Sequence, residues 1–184
     1  MNRAKRILEI SKETGALTFG EFQLSAGGTS KYYFDGRLLT LDPEGAYMVA
    51  KVFLEILEAY SVDAIAGPTI GADPIVSAVS VLSYMEGTPI SGLIVRKEPK
   101  AHGGGKTIEG PIKSGQRVAI VDDTCTTGKS LFQAMQAVQD EGCEIPIVLS
   151  ILDRRAGGSD EVRLMGYEFK SLLVADEVGN VNLS

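Results

Sequence analysis

Residues 117–130 read RVAIVDDTCTTGKS, and this stretch decides the fold. The β-branched, apolar run at 118–121 has the length of one buried strand and is too short for a helix. Two aspartates, three threonines and a glycine follow, and then a helical pattern begins. A strand that gives way to polar groups just before a helix places them at the carboxyl edge of a sheet, where open α/β sheets bind their ligands.

The residue types after this strand favour a sugar phosphate. The backbone N–H groups of residues 126–129 are expected at the start of the following helix, where unpaired donors and the helix dipole attract an anion. The threonine hydroxyls add donors for phosphate oxygens. Asp122 and Asp123 would repel a phosphate, so sugar hydroxyls, a hydrated Mg²⁺ or a developing cation are their natural partners.

Other interpretations of the same residues exist. Paired aspartates after a strand often form only a turn and a helix cap. Gly128-Lys129-Ser130 matches the end of a P-loop, but that motif needs a glycine where Asp123 stands. The string VDDTCTTG instead resembles the phosphoribosyl pyrophosphate (PRPP) signature of type I phosphoribosyltransferases.

Composition indicates one soluble, globular domain. The 184 residues are 44% hydrophobic and 23% charged, enough for a proper core. A net charge of −6 without a basic run argues against nucleic-acid binding. Cys125 and Cys143 lack metal-ligand spacing, and Cys125 is interpreted as a small filler rather than a nucleophile. Since no signal peptide or membrane-length apolar run is seen, the expected location is the cytoplasm.

Periodicity along the chain predicts alternating strands and helices, and therefore an α/β fold with a mostly parallel central sheet flanked by helices. The predicted helices cover residues 3–14, 42–60 and 131–141. The predicted strands include residues 63–66, 90–95, 118–121, 145–152 and 169–174.

Two further segments look suited to ligand binding. Residues 31–37, KYYFDGR, place three aromatic residues together, either as a strand with one buried ring or as a wall for a flat base. Residues 67–74 form a glycine-containing turn before a helix and offer a second anion cradle. Many turns of this kind contain glycine, so the second segment does not by itself distinguish a function.

Residues 96–106, RKEPKAHGGGK, combine four cations with the only histidine and three consecutive glycines. Such a segment is typical of a solvated linker, or of a mobile lid that closes over a polyphosphate. Arg154 follows the strand at 145–152, where it can grip a carboxylate bidentately or form an ordinary surface ion pair.

Four segments together resemble the orotate phosphoribosyltransferase family over nearly the whole chain. They are FGEFQLSAGGTSKYYFDGR (19–37), RKEPKAHGGG (96–105), VDDTCTTG (121–128) and LDRR (152–155). The second segment is the most telling, because purine-specific relatives usually lack it. The resemblance implies a type I phosphoribosyltransferase fold over residues 1–184. It also implies a small N-terminal hood, roughly residues 1–40 plus a C-terminal part, and a mobile loop at 97–110.

The reaction implied by this resemblance joins orotate to PRPP, giving orotidine 5′-monophosphate and pyrophosphate with Mg²⁺ in de novo pyrimidine (UMP) biosynthesis. The resemblance also implies a homodimer in which loop 97–110 completes the neighbour's site. Its implied catalytic residues are Lys100, His102, Asp122 and Asp123. Its implied PRPP-binding residues are Arg96, Lys97, Lys100, His102, Asp122, Asp123, Thr124, Cys125, Thr126, Thr127, Gly128, Lys129 and Ser130. Its implied orotate-binding residues are Thr126, Arg154, Tyr33 and Phe34.

No residue is assigned directly to Mg²⁺, which PRPP is expected to bring. The chain departs from the family pattern at Ser25, where some members carry lysine, and at Ile70-Gly71, where some carry Tyr-Lys. Two alternatives remain open: a purine phosphoribosyltransferase, and a PRPP-sensing regulator with the same fold. The negative net charge and the Lys/His segment count against the regulator.

Overall fold

The computed structural model describes residues 2–23, 28–98 and 106–184. Within these ranges the helices are α1 (Arg3–Glu13), α2 (Gly36–Thr40), α3 (Pro43–Leu57), α4 (Asp73–Met85), α5 (Lys129–Asp140) and α6 (Gly158–Leu164). The strands are β1 (Leu17–Gln23), β2 (Thr29–Phe34), β3 (Ala64–Pro68), β4 (Ser91–Val95), β5 (Ile108–Glu109), β6 (Val118–Cys125), β7 (Val148–Asp153), β8 (Phe169–Ala175) and β9 (Val181–Leu183).

The central sheet has seven strands in the order β5-β4-β3-β6-β7-β8-β9. Its five inner strands are parallel, and the edge strands β5 and β9 are antiparallel to their neighbours. From β3 the chain proceeds outward to β4 and then returns to place β6 on the other side of β3. The carboxyl ends of β3 and β6 therefore flank a topological switch point, the usual ligand crevice of such sheets.

Both faces of the sheet are buried, as a mostly parallel sheet requires. Ala119 and Val121 of β6 pack in a core cluster with residues of α1, α3 and α4. Val118 and Ile120 point the other way and pack with residues of α5 and α6. This two-sided burial explains why the strand reads as a continuous apolar run.

A separate antiparallel hairpin, β1–β2, lies before the sheet and leads through α2 into α3. Asp35 caps α2 by accepting a hydrogen bond from the Arg37 N–H, and Asp42 caps α3 by accepting one from the Gly45 N–H. Pro43 occupies the first turn of α3, where its missing N–H costs nothing.

The predicted fold class is confirmed, but the predicted end of β6 is wrong, and β7 begins at Val148 rather than at residue 145. Strand β6 does not end at Val121, because Thr124 and Cys125 still pair with Leu152 and Asp153 of β7. Asp122 and Asp123 are therefore strand residues with a fixed backbone rather than members of a turn. The C-terminal tail, for which no element was predicted, supplies β9. In the described part of the chain, no helix combines the length and the apolar character needed to cross a bilayer.

Candidate active site

A cavity of about 340 Å³ opens at the switch point between the ends of β3 and β6. Its lining comes from the hairpin and α2, the β3–α4 turn, the ends of β4, β6 and β7, and the first turn of α5. The residues are Tyr33, Phe34, Asp35, Arg37, Pro68, Thr69, Ile70, Gly71, Lys97, Asp122, Asp123, Thr124, Ser130 and Arg154. Segments that are far apart in the sequence thus meet at one polar crevice.

Two adjacent carboxyl groups form the floor of this cavity. Asp122 is 7% exposed, and its Oδ1 accepts a hydrogen bond of 2.9 Å from the Asp123 N–H. Burial, followed by the charge of Asp123, raises the pKa of Asp122. Burial, followed by the charge of Asp35, likewise raises the pKa of Asp123. Two carboxylates held this way favour a ligand that brings hydroxyl donors or positive charge.

Asp123 is enclosed by the backbones of two glycines. A Cβ on Gly36 would lie 2.5 Å from the Asp123 Cβ and 2.7 Å from its Oδ2. A Cβ on Gly71 would lie 2.9 Å from both Cγ and Oδ1 of the same side chain. Because no side chain fits at either position, the two main-chain segments hold the carboxylate from both sides.

A second cavity of about 110 Å³ lies next to the first, over the segment 124–130, here called the threonine loop. Its lining residues are Asp122, Thr124, Thr126, Thr127, Gly128, Lys129, Ser130 and Leu131. Gly128 precedes α5 with a φ of 80°, a left-handed conformation that glycine adopts without strain. The helix N-terminus at this cavity makes it a ready site for an anion.

The start of α6 supports the threonine loop from behind. The Gly158 N–H donates to the Thr126 carbonyl at 3.0 Å, and a Cβ on Gly158 would lie 2.5 Å from the Gly128 nitrogen. The Cys125 side chain is fully buried in the core, so only its main chain is left to line a ligand site. Burial raises the pKa of Cys125 to about 12, which keeps it a thiol and agrees with its predicted role as a filler.

Arg154 lines the larger cavity from the end of β7. Its guanidinium lies over the Tyr32 ring, 4.7 Å from the centroid, and its Nη2 donates to the Ser30 Oγ at 3.3 Å. Thr126, which the resemblance grouped with Arg154, lines the smaller cavity instead. The two residues therefore line different cavities.

The two aromatic candidates on β2 differ in exposure because successive strand residues face opposite ways. Tyr33 is 47% exposed and packs on Phe22, with ring centroids 5.7 Å apart. Phe34 is 7% exposed and belongs to the core cluster. Of the two side chains, only Tyr33 offers a broad face to a ligand.

The cationic candidates at the end of β4 face a neighbouring cavity of about 310 Å³. Lys97 lines both this cavity and the larger one. Arg96 Nη1 pairs with a Glu109 carboxylate oxygen at 3.2 Å. Lys100 and His102, like the family-pattern position Ser25, lie outside the described residues.

Sequence reasoning missed Asp35 and Arg37 as members of the site. The Nε and Nη2 atoms of Arg37 each donate to Asp35 at 2.9 Å, and this contact holds the pKa of Asp35 below its usual value. Both residues stand in the quoted KYYFDGR segment, and their charges were the available signal. The β3–α4 turn, predicted as an anion cradle, lines the larger cavity through residues 68–71 and contains a cis Thr69–Ile70 peptide bond.

The described residues contain no group of three or more His, Cys, Asp or Glu side chains arranged to hold a metal ion. Mg²⁺ is commonly bound through one or two carboxylates together with phosphate oxygens of a substrate. The Asp122–Asp123 pair fits that mode, in which the ligand supplies most of the coordination.

Comparison with known proteins shows the family of this chain. The phosphoribosyl transferase domain family matches residues 40–170, and the chain belongs to that family. An orotate phosphoribosyltransferase from Rhodopirellula baltica is 40% identical over 184 residues, covering 97% of this chain and 95% of that protein. The family resemblance predicted from the sequence is thereby confirmed.

Solved structures give the same result. Mycobacterium tuberculosis H37Rv orotate phosphoribosyltransferase in complex with Fe(III) dicitrate matches with a TM-score of 0.82 and 32% identity, over 98% of this chain and 100% of that one. The same enzyme in complex with 5-phospho-α-D-ribosyl 1-diphosphate (PRPP) has a TM-score of 0.77 and 30% identity, over 95% and 96% of the two chains.

The burial of Asp122 predicts a pH-dependent effect of Asp122→Asn on the ligand-free protein. Since the pKa of Asp122 is raised in the folded state, the wild type loses stability as pH rises from about 4 toward that raised value. The neutral asparagine avoids this loss and keeps an oxygen for the Asp123 N–H. Chemical denaturation should show little difference near pH 4 and a more stable variant at pH 7.5. The difference in the free energy of unfolding between the variant and the wild type should grow by at most about 1.4 kcal/mol per pH unit for one proton.

Asp160→Asn is the matched control, since the Asp160 side chain is 76% exposed. It should not show the gain in stability at pH 7.5 that is expected for Asp122→Asn. Parallel stability curves for Asp122→Asn and the wild type would contradict the cost assigned to the buried carboxylate.

Proposed function

We propose that the protein transfers the 5-phosphoribosyl group of PRPP to orotate, forming orotidine 5′-monophosphate and pyrophosphate for pyrimidine nucleotide synthesis. The observation that carries this proposal is the meeting of three features at one crevice. These features are a buried aspartate pair, a helix N-terminus with a threonine loop, and an arginine held over a tyrosine ring. They suit a ribose, a phosphate and a carboxylate, in that order.

The aspartate pair and the threonine loop hold the sugar phosphate in this proposal. Asp122 and Asp123 accept hydrogen bonds from the ribose hydroxyls, which compensates for their burial. The 5′-phosphate occupies the smaller cavity, where the first N–H groups of α5 and the hydroxyls of residues 124–130 donate to it. The two cavities share Asp122, Thr124 and Ser130, as sites for the two halves of one ligand must.

The pyrophosphate of PRPP lies on the side of Lys97 and Arg96 in this arrangement. Lys100 and His102 are proposed to join them from the part of the chain outside the described ranges. Mg²⁺ carried in by PRPP supplies charge neutralisation on the pyrophosphate oxygens. Within reach of the same cavity, Lys97 supplies a positive charge from the protein itself.

The chemical step breaks the bond from C1′ to the pyrophosphate oxygen, and the electron pair leaves with pyrophosphate. The orotate nitrogen then forms the new bond to C1′, and its proton is released to water. Positive charge develops on the ribose during this step, and the ionised form of the aspartate pair, which hydrogen bonds from the ribose hydroxyls favour, stabilises that charge. Groups preorganised in this way typically contribute roughly 3 kcal/mol each to transition-state stabilisation. Lys100 and His102 are the proposed groups that stabilise or protonate the departing pyrophosphate.

Arg154 gives this site its preference for orotate. A guanidinium binds a carboxylate with two parallel hydrogen bonds, and a purine base offers no carboxylate to receive them. Tyr33 is the proposed ring wall, and Phe34 shapes the crevice from the core. Thr126 lines the phosphate cavity, so we assign its main role to PRPP binding. Its proposed contribution to orotate binding is indirect, through the position of the threonine loop.

Two further expectations remain. The homodimer in which loop 97–110 completes the neighbour's site rests on the family resemblance, and the cytoplasmic location rests on the sequence composition. Cys125 and Cys143 are both free, which supports a reducing compartment.

Arg154→Ala tests the proposed substrate directly. With PRPP and Mg²⁺, the wild type should consume orotate, followed as the loss of orotate absorbance, and should not use hypoxanthine or xanthine. Omitting Mg²⁺ should abolish turnover. Arg154→Ala should lower kcat/KM for orotate roughly 100-fold, since two charge-assisted hydrogen bonds are lost.

Arg155→Ala removes the same charge from the next residue, which is exposed and does not line the cavity. It should retain wild-type kinetics. Equal activity of the two variants, or faster use of a purine base than of orotate by the wild type, would overturn the proposal.

Gly36→Ala tests the role of Asp123 without altering any charged group. The added methyl group would overlap the Asp123 side chain, so kcat/KM for PRPP should fall roughly 10- to 100-fold. Gly20→Ala is the control, because its Cβ would meet only the movable Phe22 ring at 3.4 Å. Thermal unfolding should confirm that both variants are folded. Full activity in Gly36→Ala would show that catalysis does not need the observed position of Asp123.

A further inference from the structure

The backbone of Arg154 is fixed by the core before any ligand arrives. Its N–H donates to the Cys125 carbonyl at 2.9 Å, which ties it to the end of β6. The next residue, Arg155, donates its N–H to Asp153 Oδ1 at 2.8 Å. Asp153 is itself 4% exposed. The point from which the Arg154 side chain extends is therefore set by the central sheet.

The far end of the same side chain is held by a different part of the fold. Tyr32 provides the ring under the guanidinium, and Ser30 accepts a hydrogen bond from Nη2. Both residues lie on β2, two positions apart, and so face the same side of the hairpin. The Ser30 hydroxyl donates its own proton to the Tyr32 carbonyl at 2.7 Å. Its oxygen also accepts the Tyr32 N–H at 3.4 Å, which leaves a second lone pair for the arginine.

Neither partner touches the proposed substrate position. Among the described residues that line the larger cavity, Tyr33, Phe34 and Arg154 are present, and Ser30 and Tyr32 are not. Tyr32 is 5% exposed and packs in the core cluster. Any effect of Tyr32 on a ligand must therefore pass through Arg154 or through the fold.

A guanidinium that is held by a ring and a hydroxyl is well prepared for a carboxylate. The guanidinium lies over the Tyr32 ring, its five N–H donors lie in its own plane, and one of them meets Ser30. The other donors stay in the plane for a bidentate partner. An arginine side chain free in solution loses much rotamer freedom on binding, and a side chain that is already held loses less.

We propose that Tyr32 and Ser30 are positioning residues that set the Arg154 guanidinium in the orientation in which it receives the orotate carboxylate. This inference rests on the proposed function and deepens it. The β1–β2 hairpin thereby takes part in base selection through Ser30 and Tyr32, which do not themselves line the cavity.

Steady-state kinetics of Tyr32 variants test the inference. Tyr32→Leu, which removes the ring, should raise KM for orotate about tenfold, as the loss of a partly desolvated cation–π contact predicts. KM for PRPP should stay within about twofold, because the sugar-phosphate contacts are elsewhere. Tyr32→Phe keeps the ring and should restore most of the orotate affinity. Ser30→Ala should raise KM for orotate about two- to threefold, as befits one long hydrogen bond.

Two controls separate positioning from simple loss of stability. Phe53→Leu also shortens a buried aromatic residue of the same core cluster, but in α3 rather than in the hairpin. It should leave the ratio of the two KM values unchanged. In an Arg154→Ala background, Tyr32→Leu should cause no further loss of kcat/KM for orotate, because the group it positions is gone.

The outcomes distinguish this inference from the function on which it rests. If the wild type does not turn over orotate, the proposed function fails and the positioning role fails with it. If the wild type is active but Tyr32→Leu behaves like Phe53→Leu, only the positioning role is overturned. Multiplicative losses in the Tyr32→Leu/Arg154→Ala double variant would also overturn it.

Discussion

The burial of two neighbouring carboxyl groups at the end of β6 is the constraint on which the rest of this structure depends. A strand can hold such a pair only where the surrounding backbone leaves room and a ligand later supplies compensation. Gly36 and Gly71 provide the room, because their missing side chains let two main-chain segments approach Asp123. In the proposed function, the hydroxyls of a ribose and the positive charge that develops on it compensate for the burial of the two carboxyl groups.

The sheet topology explains why the partners of this pair come from so many segments. At the switch point, the connections that follow β3 and β6 run in opposite directions. They leave a crevice above the carboxyl ends of these two strands. The threonine loop continues directly from β6 into α5, so a phosphate bound there stays at a fixed distance from the aspartates. Lys97 at the end of β4 and Arg154 at the end of β7 approach from opposite sides of the same edge.

The local part of this arrangement could be predicted from the sequence, because its signals are local. The strand, the aspartate pair, the threonine loop and the helix follow each other within 14 residues. The end of β6 was misplaced, because polar residues usually end a buried strand, whereas here pairing with β7 extends it. Tyr33 is exposed and Phe34 is buried. The alternation of side chains along β2 would have predicted this difference once the face that packs on the core was known.

The long-range contacts could not be predicted in this way. Ser30 and Arg154 are 124 positions apart, and only the packing of the hairpin against the sheet brings them together. The enclosure of Asp123 by Gly36 and Gly71 has the same origin, since a glycine in a sequence does not reveal what its Cα approaches. The short edge strands β5 and β9, of two and three residues, carry too little periodicity for prediction.

A crystal structure of the protein with PRPP and Mg²⁺ tests the central claim most directly. The account predicts the 5′-phosphate within hydrogen-bond distance of the main-chain N–H groups of residues 126–129, and the ribose hydroxyls on the carboxylates of Asp122 and Asp123. A PRPP molecule bound with its ribose away from both aspartates, or with its phosphate outside the threonine loop, would contradict the account.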